Sequence, residues 1–392
     1  MHICTTEKSQ CCGCGACSII CPTQAIQMQI DAEGFETPQV NELLCLNCGK
    51  CLEVCGIQNV PLLNPPKVSY AAWHMNPAIR EQGSSGSLFT ALATLILNRN
   101  GIVCGAAFDK DFKHVQHQCI ASIENLNALQ KSKYVQSSTT KAFENIIQYL
   151  KKGRPVLFVG TPCQIASLRQ LAKGFDEQLF LCDLVCHGTP SPKVFEAYVT
   201  EEEKKVNSTL IDYSFRDKKN GWNFPNIYLT FRNGKKIRRL PRLDPFYEGF
   251  YRGSFLRESC YQCPYAQSSR TGDVTIADCW RVATSHPHYD NNRGTSLLLV
   301  NTDKGKELLR DLEAHGDCFL GIYDLSLAIA RNIPLMESAH RPPNRNLFFE
   351  VLTQSNSFAS AAANYLSFRS AIKNVGHYYI KRLGWIIFRR FQ

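Results

Sequence analysis

The chain contains no run of eighteen apolar residues, so nothing in it is expected to span a membrane. No basic segment followed by a short apolar one stands near its start, so no secretory leader is expected. The last forty-two residues contain no acid. No internal repeat is visible outside two cysteine runs. A disulfide framework suits a small secreted chain, and these 392 residues are neither small nor signal-bearing. These absences point to a reducing, cytoplasmic setting, in which most of the 19 cysteines serve metal rather than disulfides.

What is present begins at Cys11. Cys11, Cys14, Cys17 and Cys21 follow the pattern C-x2-C-x2-C-x3-C, closed by Pro22. Cys45, Cys48, Cys51 and Cys55 repeat it, with Gly56 in the place of the proline. A cubane needs four inward thiolates, and one tight turn supplies three. In two-cluster ferredoxins the last cysteine of each run crosses to the other cluster. This assigns Cys11, Cys14, Cys17 and Cys55 to one [4Fe-4S] cluster and Cys45, Cys48, Cys51 and Cys21 to the second. A zinc site would show two C-x2-C pairs rather than two runs of four. Cys12 is expected to be a bystander.

The order of elements suggests three parts. Residues 1–62 form a ferredoxin-like α+β domain, with strands at Ala25–Ile30 and Phe35–Val40. A proline-rich linker follows, and residues 67–345 read as an α/β domain with a mixed sheet. Its strands are Val68–Trp73, Ile102–Phe108, Pro155–Val159, Leu179–Val185 and Leu297–Val300. Its helices are Leu88–Leu97, Asn125–Lys131, Thr140–Leu150, Ile165–Leu171 and Lys304–His315. A hairpin turns at Asn233-Gly234, and its basic second strand reads as a solvated edge. Residues 346–392 form a basic tail with helical amphipathic character.

Further chemistry lies at the strand ends. Cys163 and Cys186 follow buried strands, where ligands bind in open α/β sheets. Cys260-x2-Cys263-Pro264 copies half of a cluster motif. Together these four cysteines can make another four-thiolate site, which zinc would also accept. Cys104 and Cys182 read as core residues. The loop Gly83-Ser84-Ser85-Gly86-Ser87 opens a helix and presents backbone N–H groups suited to phosphate. It matches neither G-x-G-x-x-G nor Walker A, and a plain N-cap accounts for it equally well.

In this order the motifs resemble the family of coenzyme F420 hydrogenase/dehydrogenase beta subunits over residues 11 to about 305. The matching stretches are Cys11 to Cys17, Gly83 to Ser87, Ser132 to Ser137, Gly160 to Gln164, Asp183 to Gly188, Phe215 to Lys218 with Gly221-Trp222, Cys260 to Tyr265, and Asp273 to Trp280. The resemblance implies an oxidoreductase holding FAD and [4Fe-4S] clusters. It implies that Cys163, Cys186, Cys260 and Cys263 hold a third cluster beside the flavin. It further implies that Gly83, Ser84, Ser85, Gly86 and Ser87, with Ser132, Lys133, Tyr134, Gln136 and Ser137, touch the flavin or its phosphates. The family loop ends Gly-Gly, and here Ser87 replaces the second glycine, which is unfavourable where the backbone needs φ > 0.

The expected path runs from a ferredoxin-type redox partner through the clusters to FAD and on to an unidentified small-molecule two-electron acceptor. His187 is a candidate proton donor, or equally a hydrogen-bond partner of a cluster sulfur. Lys133, Arg216 and Lys218 could neutralise ligand charge, although plain solvation is the default expectation for Lys218. The competing reading is an electron-transfer subunit without a substrate of its own. The last forty-two residues supply six of the ten net positive charges. Their interleaved aromatics suit an anionic membrane surface or packing on the protein body equally well. No nucleic-acid motif accompanies the charge.

Overall fold

The computed structural model describes residues 2–3 and 7–363, together with Gly376 and Ile380. Cys4 and the charged residues of the basic tail lie outside them.

The N-terminal part pairs β1 (Ile26–Ile30) with β2 (Glu36–Val40) antiparallel, Ile26 opposite Val40. Each cysteine run enters a short helix, Ala16–Ile20 or Lys50–Glu53. The residue before each helix, Gly15 or Gly49, has φ near +76°. Side chains rarely adopt that backbone, and a Cβ on Gly15 would also collide with Thr140 Oγ1.

In chain order the remaining strands are β3 (Val68–His74), β4 (Ile102–Phe108), β5 (Val115–Ile120), β6 (Ser137–Ser138), β7 (Val156–Gly160) and β8 (Leu179–Leu184). They continue with β9 (Leu210–Asp217), β10 (Asn226–Phe231), β11 (Lys236–Arg239), β12 (Val274–Asp278), β13 (Ser296–Val300) and β14 (Cys318–Ile322). Nine of them form one mixed sheet, ordered β14-β3-β13-β12-β8-β7-β4-β5-β6. Its centre, β12-β8-β7-β4, is parallel. The helices Leu88–Asn98 and Asp303–His315 cover one face, and Thr140–Lys151 and Pro162–Leu171 cover the other. Burial on both faces explains why β7 is apolar throughout. A smaller sheet, β11-β10-β9, carries the aromatic core around Phe195, Tyr213 and Phe215.

Several expectations change. The Asn125–Lys131 helix is a 3-10 turn at Ile123–Ala128. The basic edge strand is only partly solvated: Arg239 is paired with Glu202 and Asp244. Cys104 is in the core but is disulfide-bonded to Cys119, directly opposite it on β5. Residues 345–362 are not a separate tail. Phe348, Phe349, Leu352 and Phe358 join the main core, and Arg345 pairs with Glu33 of the N-terminal part.

Candidate redox centre

The two N-terminal cysteine runs lie close together: Cys17 has Cys14, Cys11, Cys55 and Cys51 around it. Cys21, from the first run, lines one pocket with Cys45, Cys48 and Cys51 of the second. Backbone N–H groups point at the sulfurs. Gly13 donates to Cys11 at 3.3 Å, Gln58 to Cys55 at 3.4 Å, Ala25 to Cys21 at 3.3 Å, Asn47 to Cys45 at 3.4 Å and Ile3 to Cys51 at 3.2 Å. Sulfurs that accept such bonds are suited to act as cluster thiolates. The second set faces outward: Cys48 is exposed, and Leu43 and Leu46 beside it are 96% and 67% exposed.

A third set lies behind the first. Cys163 is not in a loop. Thr161 caps the helix Pro162–Leu171 through a reciprocal bond with Gln164, and Pro162 opens it, so Cys163 falls in the first turn. Cys186 follows the end of β8, and Cys260 and Cys263 flank the end of a 3-10 turn at Glu258–Gln262. All four line a cavity of about 610 Å³, and Cys12 lines it with them. Cys12, expected to stand apart from the site, therefore shares its lining. Among the described residues no three His, Cys, Asp or Glu side chains are placed to hold a single metal ion. A cubane instead spreads its thiolates over four irons.

A buried ion pair fixes this geometry. Arg270 donates from Nε and Nη2 to Asp183 Oδ1, at 3.2 and 2.9 Å, and also holds the carbonyls of Leu184, Tyr265 and Gln267. Asp183 Oδ2 accepts from Gly272 N at 2.8 Å. The pair thus ties the β8 end before Cys186 to the loop carrying Cys263. Removing one partner of such a pair costs about 3–5 kcal/mol. The first set is clamped by Arg257, which donates to Cys11 O at 2.6 Å, Glu36 O at 2.8 Å, Cys11 Sγ at 3.2 Å and Gln136 Oε1 at 3.2 Å. Sequence reasoning missed Arg257 because no spacing links it to Cys11. Asp183 and Arg270 stood in or beside matching stretches, but without a role.

Burial pushes Cys186 well above the ordinary thiol range and Cys263 up to about 12, with the surrounding thiols adding to the effect. Loading such a site with metal must release protons. The adjoining Cys12 thiol works the other way, lowering Cys163 and taking Cys14 down to about 6. Burial likewise lowers His187. Its buried Nε2 has no hydrogen-bond partner among the described residues.

The stretches expected around flavin are knitted together rather than open. Ser132 N donates to Ser84 Oγ at 2.8 Å, and Gly86 N donates to Ser296 Oγ at 2.9 Å. Lys218 is buried, contrary to expectation. Its Nζ donates to the carbonyls of Arg80, Ser85 and Arg293, and burial lowers it to about 8. Ser87 has φ +63° and donates its hydroxyl to Ile79 O and Arg80 O. The position thus does require a left-handed backbone. Lys133 donates to Gln130 O, and Ser137 is bonded to His117 and Gln164. Gln136 turns to the cluster loop, donating to Cys12 O at 3.1 Å. The Ser132–Ser137 segment therefore reaches from the Gly83–Ser87 loop to the cysteines.

Open polar capacity lies instead on β9 and just beyond it. Ser214 Oγ, Arg216 Nη2 and Asn220 Nδ2 are buried without hydrogen-bond partners among the described residues. Arg216 pairs with Asp278 and lies 5.1 Å over the ring of Trp280, which stacks on Trp222 at 5.7 Å. Tyr134 packs against Phe215 and Tyr247 alongside. The unspent donors of Ser214, Arg216 and Asn220 thus lie near this aromatic pair. The occupied Gly86 N–H and the lysine-bound carbonyls of the serine loop do not fit a diphosphate cradle.

Comparison with known proteins agrees with this layout. Residues 10–58 match the 4Fe-4S dicluster domain, and residues 153–321 match the C terminus of the coenzyme F420 hydrogenase/dehydrogenase beta subunit. The F subunit of the F(420)H(2) dehydrogenase of Methanosarcina mazei is 23% identical over 331 residues, covering 78% of this chain and 89% of that protein. The coenzyme F420-dependent sulfite reductase of Methanocaldococcus jannaschii is 30% identical over 181 residues, 42% of this chain and only 26% of that enzyme. A chain of the F420-reducing [NiFe] hydrogenase complex from Methanosarcina barkeri shares the fold, with TM-score 0.50 and 14% identity over 76% of this chain and 96% of that one. No helix among the described residues is long and apolar enough to cross a membrane. The chain thus joins an N-terminal segment that matches the 4Fe-4S dicluster domain to a segment that matches the C terminus of the coenzyme F420 hydrogenase/dehydrogenase beta subunit.

Proposed function

We propose that this chain is an iron–sulfur flavoprotein oxidoreductase that takes electrons from a one-electron, ferredoxin-type donor and delivers them in pairs to a two-electron acceptor. The observation that carries the reading is the single cavity lined by Cys163, Cys186, Cys260 and Cys263 together with Cys12, the residue next to Cys11 of the first set. When bound, three [4Fe-4S] clusters would pass single electrons, and FAD would pair them. Cys48 and its leucine rim form the outward end, Arg257 holds the first set, and the Asp183–Arg270 pair holds the third. Arg216, Trp222 and Trp280 would seat the flavin ring. His187 would donate the proton that accompanies reduction of the acceptor. The names of the relatives point to a deazaflavin as the two-electron partner.

A second reading is an electron-transfer subunit that serves a partner enzyme without binding flavin. The occupied Gly83–Ser87 loop favours it. Anaerobic purification with iron and flavin quantified per chain decides between them. About twelve irons and one FAD, at four irons per cubane, support the flavoprotein. About eight irons and no flavin support the carrier. Reduction of added F420 by the dithionite-reduced protein then tests the acceptor class.

A further inference from the structure

The two cysteine runs differ at the residue that closes them. Pro22 closes the first and is exposed, whereas Gly56 closes the second and is buried. Gly56 N donates to Ser167 Oγ at 3.0 Å, and Gly56 O accepts from the Tyr265 hydroxyl. A Cβ on Gly56 would meet Ser167 Oγ at 2.8 Å, Ala166 Cβ at 3.0 Å and Cys163 O at 3.0 Å. Further along, Gln170 Nε2 donates to Asn59 O at 2.8 Å, and Asn59 Nδ2 donates to Gln170 Oε1 at 3.3 Å. Cys163, Ser167 and Gln170 are spaced four and three apart, so they share one face of the helix Pro162–Leu171. Tyr265 stands two residues after Cys263, and its carbonyl is held by Arg270 Nη1 at 3.2 Å. The residue after Cys55 is thus bonded on both sides to the two elements that carry Cys163 and Cys263.

We infer that Gly56 is a positioning residue that sets how closely the first cysteine set approaches the third. The inference rests on the proposal that the third set holds a cluster. A proline here, as at Pro22, would have no N–H to give Ser167. Its Cβ would also press on Ser167, Ala166 and the carbonyl of Cys163. The first of these can turn aside, but the Cys163 carbonyl is backbone, so the helix itself would have to move. Glycine is the residue that lets two backbones come this close. Cys55, assigned to the first set, is covalently joined to Gly56, so the contact fixes that thiol against the helix of Cys163 and the loop of Cys263. No bond forms or breaks at Gly56, which acts through spacing alone. Pro22 faces no such neighbour and keeps the motif residue.

The test uses the full chain, purified anaerobically as wild type, Gly56→Pro, Gly56→Ala and Tyr265→Phe, with Cys260→Ala as the control that lacks the third cluster. Iron is counted, and EPR spectra of the dithionite-reduced proteins are recorded. The third cluster's share of the spin–spin splitting is the part that Cys260→Ala lacks. The expected result is about twelve irons in wild type and in the Gly56 and Tyr265 variants, at four per cubane. Gly56→Pro loses the third cluster's share of the splitting, and Gly56→Ala and Tyr265→Phe keep a reduced part of it. Full iron with unchanged splitting in Gly56→Pro overturns the positioning role. A loss of about four irons in Gly56→Pro overturns it as well, because Gly56 then serves cluster retention rather than spacing. So does a wild type of full iron whose splitting matches that of Cys260→Ala. A wild type holding only about eight irons removes the third cluster itself, and that result is read before any variant is made.

Discussion

Arg257 is the side chain through which the body of the protein should set the potential of the first cluster. It is 3% exposed and spends its guanidinium on Cys11 O, Glu36 O, Gln136 Oε1 and, from Nη2, Cys11 Sγ at 3.2 Å. A hydrogen bond from a charged donor contributes about 1.5–3 kcal/mol. The bond to sulfur strengthens when the cluster gains an electron. If about half of its worth is differential, the reduced state gains about 0.7–1.5 kcal/mol, or about 30–60 mV for one electron. Arg257→Met should lower the first cluster's potential by that amount. Arg257→Lys should restore only part, because an ammonium lacks the planar fork that reaches sulfur and carbonyl together. EPR-monitored titration of the anaerobic protein measures this, with iron per chain counted in parallel. The second cluster should move less, since its cysteines face outward. Full iron content with the first potential within about 10 mV of wild type would refute the electrostatic role. The variant also leaves two buried carbonyls without their donor, at about 1–3 kcal/mol each. Limited proteolysis at the 61–67 linker should therefore quicken.

Two further outcomes follow from the serine loop. Ser87→Ala keeps the strained φ +63° but loses the hydroxyl bond, and urea denaturation should show a loss of about 0.5–1.5 kcal/mol. Ser87→Gly loses the same bond but relieves about 1–2 kcal/mol of left-handed strain, so it should be more stable than Ser87→Ala and close to wild type; a glycine variant less stable than alanine contradicts the account. Burial holds Lys218 at about 8 when folded, below its ordinary 10.5. Between those values the unfolded chain binds the proton that the folded chain sheds, so this residue makes stability rise with pH. Lys218→Met should flatten that rise in thermal midpoints from about pH 8 to 10, and parallel curves for the two proteins would count against it.

Much of the centre was legible because its chemistry is written in local spacing. The two cysteine runs pointed to a two-cluster domain, and the pocket shared by Cys21 with Cys45, Cys48 and Cys51 follows from three thiols in one turn needing a fourth from elsewhere. Buried strands such as β7 declared themselves through continuous apolar runs. What escaped depends on long-range contact. Cys12 looked redundant beside Cys11, and only the approach of the helix Pro162–Leu171 turns it toward Cys163. Lys218 reads as a surface cation until the carbonyls of Arg80, Ser85 and Arg293 surround it. The serine loop reads as an anion cradle until Ser296 takes its N–H. β5, β9, β12 and β14 were missed because their residues are not uniformly apolar, and pairing partners rather than composition define them. The basic tail, read as a membrane or body contact, lies outside the described residues.

The clamp on the N-terminal cysteines also sets an order of events during synthesis. Cys11 is held by a side chain 246 residues further on, and Glu33 by one 312 residues further on. At about 5–20 residues per second a ribosome needs about 15–60 s to cover that distance. Through that interval the N-terminal module exists without Arg257, Arg345 or the third set against it. Its thiols stay reachable by the machinery that delivers iron and sulfide, and docking closes over them only once the last third of the chain has emerged. Cluster insertion before docking, rather than after, is the sequence this topology favours.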